Sequence, residues 1–132
     1  MGEKYLSFFE LRHIVFDKIE FQRMGFQNEG DKPDFELQCV GQEIDEDDYR
    51  VCLILRGEKE GEYRLLISLS GYFHINRETS IPDVPVEVLL QKNATSILLP
   101  YIRSQLSTLT AQPETECIVL PTINVNNLVK NE

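Results

Sequence analysis

The sequence lacks three features that mark large classes of protein. No apolar run approaches the roughly 20 residues that a membrane span requires, and the first residues lack the basic and apolar regions of a signal peptide. Basic residues are scarce, with 13 Lys and Arg against 22 Asp and Glu, so the net charge of -9 repels phosphate backbones. We therefore predict a cytoplasmic protein that neither inserts into membranes nor binds nucleic acid.

Cysteine and histidine are also sparse. Cys39, Cys52 and Cys117 lack the spacing of a metal site, and two of them lie in apolar, strand-like runs, which predicts buried and reduced thiols. His13 and His74 both fall at strand positions, and no Ser or Cys lies near them in the pattern of a nucleophile and its base. The sequence thus predicts no metal, no cofactor and no enzyme activity.

The charged and glycine-containing segments do not form known ligand loops. Acidic residues are concentrated in the first half, where positions 1–62 hold 16 acids and 8 bases. The acidic run 43–48 lacks the central Gly and terminal Glu of an EF-hand, so we interpret it as a solvated hairpin loop. The triplet Asn93-Ala94-Thr95 matches a glycosylation site, but the beginning of a helix explains it better.

Alternating apolar residues predict an antiparallel sheet. The strands are expected at Phe8–Phe21, Phe35–Val40, Tyr49–Arg56 and Tyr63–Ile75, with a hairpin loop from Gly57 to Gly61. In the first strand, Phe9, Leu11, His13 and Val15 should share one face. The last three strands follow one another as hairpins, which indicates a meander.

The pattern changes to helical spacing after Pro85. Helical spacing covers Val86–Leu90 and Ala94–Leu109, and one apolar stripe contains Leu98, Ile102, Leu106 and Leu109. Pro100 either kinks this helix or follows a start capped by Thr95 or Ser96. Val125–Val129 is expected to form a further helical turn. At 132 residues the chain (1–132) is predicted to be one α+β domain: a four-stranded antiparallel sheet with a long helix and a short C-terminal helix on one face.

Apolar residues are abundant where loops and chain ends are expected. Either they close the core or an oligomer interface, or they line an exposed groove where Met and aromatic side chains accept varied peptides. The candidate groove residues are Met24, Phe26, Leu120, Ile123, Val125, Leu128 and Val129.

Three segments resemble the SecB family of cytosolic chaperones. Ser96–Arg103 is similar to its "N-I-L-F-P-Y-A-R" helix, Leu120–Val125 to its "L-A-P-V-N-F" segment, and Gly71–Ile75 to its "G-I-F-S-I" strand. The resemblance runs from about Ile14 onward. It implies a four-stranded sheet with helices on one side, assembly as a dimer or a dimer of dimers, and grooves that hold non-native polypeptides. The implied groove is lined by the loop after the first strand and by the C-terminal helix. The oligomer contact is expected on the helix at Arg103, Gln105 and Ser107.

The resemblance breaks at the sites where the family docks the SecA motor. Lys18, Gln22 and Leu66 stand where carboxylates are expected, so coupling to SecA is doubtful. The sequence ends at Glu132, which leaves little room for the long final helix of the family and is expected to shorten one wall of the groove.

Two functional hypotheses follow. The first is a chaperone or holdase for unfolded or partly folded polypeptides, with protein export as one context. The second is a dedicated adaptor of the same fold, such as the antitoxin-binding chaperone of a toxin–antitoxin pair, without SecA coupling. An enzyme or small-molecule binder has little support in the sequence.

Overall fold

The computed structural model describes residues 9–26, 31–76 and 86–120. Its elements are β1 (Phe9–Arg23), β2 (Asp34–Glu43), β3 (Asp48–Lys59), β4 (Tyr63–Ile75) and one long helix, α1 (Val86–Thr110). The four strands form one antiparallel sheet in the order β1-β4-β3-β2, and α1 packs on one face of it. The predicted α+β class and four-stranded sheet are therefore confirmed.

Successive hairpins join β2, β3 and β4, as the predicted meander requires. The β3–β4 turn is tighter than expected, because β3 continues to Lys59 before the turn. β1 pairs along its whole length with β4, from Phe9 opposite Ile75 to Arg23 opposite Tyr63. In the part of the chain that the structure describes, β1 and β2 thus form the two edges of the sheet.

Two bulges in β1 change which residues face α1. Regular pairing with β4 is interrupted between Leu11 and His13 and again between Phe16 and Lys18. Each bulge adds one residue, so the side-chain alternation shifts by one position. The predicted face of Phe9, Leu11, His13 and Val15 is consequently wrong. His13 and Val15 pair with Tyr72 and Ser70 on the opposite face, and the helix side after the bulges carries Ile14, Phe16, Ile19 and Phe21.

The helix is continuous through Pro100. Proline cannot donate a hydrogen bond to the carbonyl of Ser96, but both residues are exposed, so water can reach that carbonyl. Of the two alternatives for Pro100, its position inside the helix is confirmed, and a helix start just before it with Thr95 or Ser96 as cap is wrong, as is a helix start at Asn93. Ser96 Oγ donates to the carbonyl of Lys92, 3.1 Å away, and Thr95 is fully buried.

The core lies between α1 and the helix side of β2, β3 and β4. The predicted apolar stripe is confirmed at Leu98, Ile102 and Leu106, which are all 0% exposed, while Leu109 is partly buried against them. The expected burial of the thiols is confirmed for Cys39 and Cys52 and is wrong for Cys117, which is exposed; all three are free.

Candidate functional site

An apolar row on β1 lies beside the helix rather than beneath it. The row faces the same side as the core, because its residues pair with core positions of β4 from Phe73 to Leu65. Yet Leu11 is 36% exposed and Ile19 is 42% exposed, and the other members are only partly buried. We call this row the β1 strip; its members are Leu11, Ile14, Phe16, Ile19 and Phe21. The alternation of apolar residues in the sequence does not predict this row.

The loop that follows β1 extends this apolar surface. The amides of Met24 and Gly25 donate to the carbonyl of Glu62 in the β3–β4 turn, at 2.8 and 3.2 Å. A Cβ atom on Gly25 would lie 2.3 Å from the carbonyl oxygen of Gly61, so only glycine permits this approach. With its backbone fixed in this way, the loop leaves Met24 39% exposed and Phe26 83% exposed.

The segment after α1 folds back along the helix. The amide of Ile118 donates to Thr110 Oγ1 at 2.8 Å, and Ser107 Oγ donates to the carbonyl of Ile118 at 3.0 Å. One helical turn earlier, Arg103 Nε donates to the carbonyl of Leu120 at 3.2 Å. These polar groups hold Ile118 and Leu120 against the core and leave Val119 71% exposed. We call residues 111–120 the post-helix segment.

The predicted site residues therefore divide into three groups. Met24 and Phe26 lie together on an exposed loop, whereas Leu120 is partly buried. The remaining predicted groove residues lie outside the described residues, together with the predicted C-terminal helical turn; they are Ile123, Val125, Leu128 and Val129.

The residues predicted for an oligomer contact are half-buried on α1. Arg103 and Ser107 hold the post-helix segment through the hydrogen bonds just described. Gln105 lies between them in sequence. The oligomer contact remains a prediction, and two of its three side chains also have this intrachain role.

The face of the sheet opposite α1 carries a cluster of polar side chains. Asp17, at the second bulge, accepts hydrogen bonds from Ser70 Oγ and from Arg50 Nη2, the latter at 3.3 Å. Arg50 Nε also donates to Ser70 Oγ at 3.0 Å, so this cluster connects β1, β4 and β3. A concave pocket of about 920 Å³ crosses all four strands near the end of β1, and its lining includes residues of both faces, with Ile19 and Phe21 of the β1 strip as well as Glu20, Arg56 and Leu66.

Each of the two histidines contacts a neighbouring side chain on the sheet. His74 Nδ1 lies 2.8 Å from Asp48 Oδ1, and the His13 ring packs edge-on against Tyr72 with 6.4 Å between ring centroids. Within residues 9–26, 31–76 and 86–120, no group of three or more His, Cys, Asp or Glu side chains could hold a metal ion. Among the described residues, no helix is both long and apolar enough to cross a membrane.

The environment of Cys39 does not activate its thiol. Burial raises the pKa of the Cys39 thiol, although Thr95 Oγ1 donates to its sulfur at 3.6 Å and partly opposes that shift. A raised pKa keeps the thiol protonated, which is the weakly nucleophilic form. The described geometry offers an exposed apolar surface on β1 and the loop that follows it.

Comparisons by sequence find no matching family model and no matching curated protein. Comparison of structures finds the SecB-like chaperone Rv1957 of Mycobacterium tuberculosis, solved in complex with a ChAD peptide from the HigA1 antitoxin Rv1956. The TM-score is 0.76 at 13% identity, and the match covers 93% of this chain and 96% of that one. A protein of unknown function from Streptococcus agalactiae matches with a TM-score of 0.49 at 12% identity, covering 86% of this chain and 97% of that one.

Proposed function

Because the chain has the SecB-like fold, we propose that it is a chaperone that holds unfolded or partly folded polypeptides in the cytoplasm. One observation carries this proposal: the β1 strip and the loop with Met24 and Phe26 form exposed apolar surface along an edge strand. Exposed apolar surface of this kind marks interaction sites in soluble proteins.

The surface suits an extended client for two physical reasons. A non-native chain presents apolar side chains. Burying them against Phe26 and the β1 strip removes them from water and lowers the free energy of the complex. The client also presents unpaired backbone groups, which an edge strand can satisfy by strand addition. Met24 adds an adaptable side chain that tolerates varied client sequences. No cofactor is required for binding of this type.

We further propose that the protein works as a homo-oligomer, either a dimer or a dimer of dimers. Several weak subsites on one assembly raise the effective concentration for a single client, so overall binding becomes tight although each contact is weak. The predicted contact lies on α1 at Arg103, Gln105 and Ser107. Light scattering after size-exclusion chromatography measures the assembly directly, and a monomeric mass would contradict this part of the proposal.

Coupling to SecA is not part of the proposed function. On the face opposite α1, the carboxylate of Asp17 is engaged by Arg50 and Ser70, and Lys18 lies 4.0 Å from Glu20. Gln22 carries no charge. Lys18 and Gln22 thus stand where the family resemblance expects carboxylates, and Asp17 is engaged within the sheet, so export through SecA is the less favoured context.

A dedicated adaptor is the second candidate function. The SecB-like neighbour in Mycobacterium tuberculosis was solved with a peptide from an antitoxin, which supports recognition of one specific peptide on this fold. Affinity purification from the native cell distinguishes the two functions. A general holdase recovers many unfolded proteins, and an adaptor recovers one dominant partner in stoichiometric amount.

An aggregation assay tests the holdase function. A heat-labile client is warmed with and without the protein, and aggregation is followed by light scattering. We expect suppression near stoichiometric ratios, and reduced suppression by Phe26→Ser. Ile44→Ser is the matched control, because Ile44 is 48% exposed but lies in the β2–β3 turn. Absence of suppression by the wild-type protein would contradict the holdase function.

A further inference from the structure

Arg23 lies between the loop of the proposed binding surface and the post-helix segment, which adds the exposed Val119 beside that surface. It is the last residue of β1, and its Nη1 donates to the carbonyl of Gly25 at 2.8 Å. Its Nη2 donates to Thr115 Oγ1 in the post-helix segment. One guanidinium group thus joins the loop that carries Phe26 to the segment that carries Val119, and these two side chains are 83% and 71% exposed.

The guanidinium group is itself held in place. It lies 5.7 Å from the centroid of the Phe21 ring, and that ring stacks on Tyr63 with 5.1 Å between centroids. Tyr63 is 1% exposed, so this support reaches the core. Arginine suits such a position because its planar group presents several donors in fixed directions, whereas lysine offers a flexible point charge.

Each of the two joined parts is also anchored separately. The loop is bound to the β3–β4 turn through the carbonyl of Glu62, and the post-helix segment is bound to α1 through Thr110 and Ser107. Arg23 adds a bond between the loop and the segment. Thr115 Oγ1 in turn donates to the carbonyl of Pro113 at 3.3 Å, which orients the hydroxyl group that Arg23 contacts.

We propose that Arg23 is a positioning residue that sets the spacing between the loop and the post-helix segment for a bound client. This inference rests on the proposed chaperone function and adds the residue that organises its surface. A client that contacts both parts binds more tightly if they are already ordered, because it does not bear the entropy cost of ordering them. Arg23 acts through the loop and the segment and does not need to touch the client.

The test measures client affinity and stability in parallel. The probe is a dye-labelled, permanently unfolded protein, such as reduced and carboxymethylated α-lactalbumin, and its Kd is measured by fluorescence anisotropy well below every melting temperature. Arg23→Met should raise the Kd about tenfold, the effect of losing one to two net hydrogen bonds. Arg23→Lys should recover part of the affinity, to within about threefold of wild type, because it retains one charged donor.

Thr115→Val removes the second acceptor while preserving side-chain shape. It should weaken binding in the same direction as Arg23→Met, and the double variant should bind no more weakly than Arg23→Met alone, because both changes break the same connection. If Arg23 and Thr115 had purely structural roles, their variants would have lower melting temperatures and an unchanged Kd. If they acted independently, the double variant would lose as much affinity as both single variants together. Either result would overturn the inference. If the wild-type protein binds no unfolded probe, the proposed function fails, and that failure is recognised without any variant.

Discussion

The Lys59 ammonium group lies 3.0 Å from the carboxylate of Glu62, and the two side chains are only 2% and 0% exposed. The pair spans the β3–β4 turn, which the amide of Glu62 closes by donating to the carbonyl of Lys59 at 2.9 Å. The carbonyl of Glu62 also accepts the amides of Met24 and Gly25. A buried ion pair thus fixes the turn on which the apolar loop rests, and its integrity bears on both stability and binding.

Removing one member of this pair should be strongly destabilising. Lys59→Met leaves a buried carboxylate without its cation, which commonly costs about 3–5 kcal/mol. The double variant Lys59→Met/Glu62→Gln should be more stable than the single variant, because it leaves no charge to bury. Urea denaturation measures both values. A single variant as stable as the double one would show that the pair is not buried as described.

Two neighbouring glycines should respond differently to substitution by alanine. At Gly25 an added Cβ would lie 2.3 Å from the carbonyl oxygen of Gly61, so the backbones must separate, and we expect a cost of about 2–3 kcal/mol. Gly61→Ala is the matched control, since its φ of 76° strains an alanine by about 1 kcal/mol although the space around it is open. Only Gly25→Ala should also weaken client binding. The reverse order of stability would contradict the described approach of loop and turn.

Substitution of an exposed apolar residue should affect client binding, and substitution of a buried one should affect stability. Phe26→Ser should leave the melting temperature nearly unchanged, because the side chain is 83% exposed, but it should weaken client binding. Leu106→Ala should do the opposite, since truncation of a fully buried leucine costs about 2–5 kcal/mol. Thermal melting and anisotropy with the unfolded probe check both variants. A large fall in melting temperature for Phe26→Ser would place that side chain in a packed interface.

The free cysteines should differ in reactivity. Burial raises the pKa of the Cys39 thiol, so this residue should react slowly with a thiol reagent at pH 8, whereas the exposed Cys117 should react quickly. The same shift predicts that stability falls as the pH rises past the ordinary thiol pKa of about 8.5, because the unfolded chain loses the proton first. Mass spectrometry after timed labelling measures the rates, and Cys39→Ala should reduce the alkaline loss of stability.

The strand ladder could be predicted from alternation alone, but the faces of β1 could not. Side chains alternate between the two faces of the sheet from Phe9 to Leu11. The alternation then fails, because the bulges at Arg12 and Asp17 each insert a residue. What stabilises the second bulge is the contact of Asp17 with Arg50 and Ser70, which are 33 and 53 positions away in sequence. A local pattern cannot reveal such contacts, so the β1 strip was missed.

The helix shows a similar limit. Its apolar stripe at Leu98, Ile102 and Leu106 is evident from the spacing, but the sequence leaves open whether Pro100 lies inside the helix or just after its start, and only the first alternative is correct. Proline is tolerated here because the missing hydrogen bond falls on the solvent side, next to the exposed Ser96. Of the candidate site, Met24 and Phe26 were identified as unexplained apolar loop residues, but the Arg23 connection joins residues 92 positions apart.

The two bulges in β1 also work against fibril growth along this edge of the sheet. A long, flat, apolar edge strand can pair with identical strands of other chains and so form cross-β stacks. The bulges at Arg12 and Asp17 twist β1 and interrupt the even spacing of its backbone donors and acceptors. A second copy of the chain could therefore pair in register with only short parts of β1. The bulges therefore disfavour the stacking of identical copies along β1, although its apolar side chains are exposed.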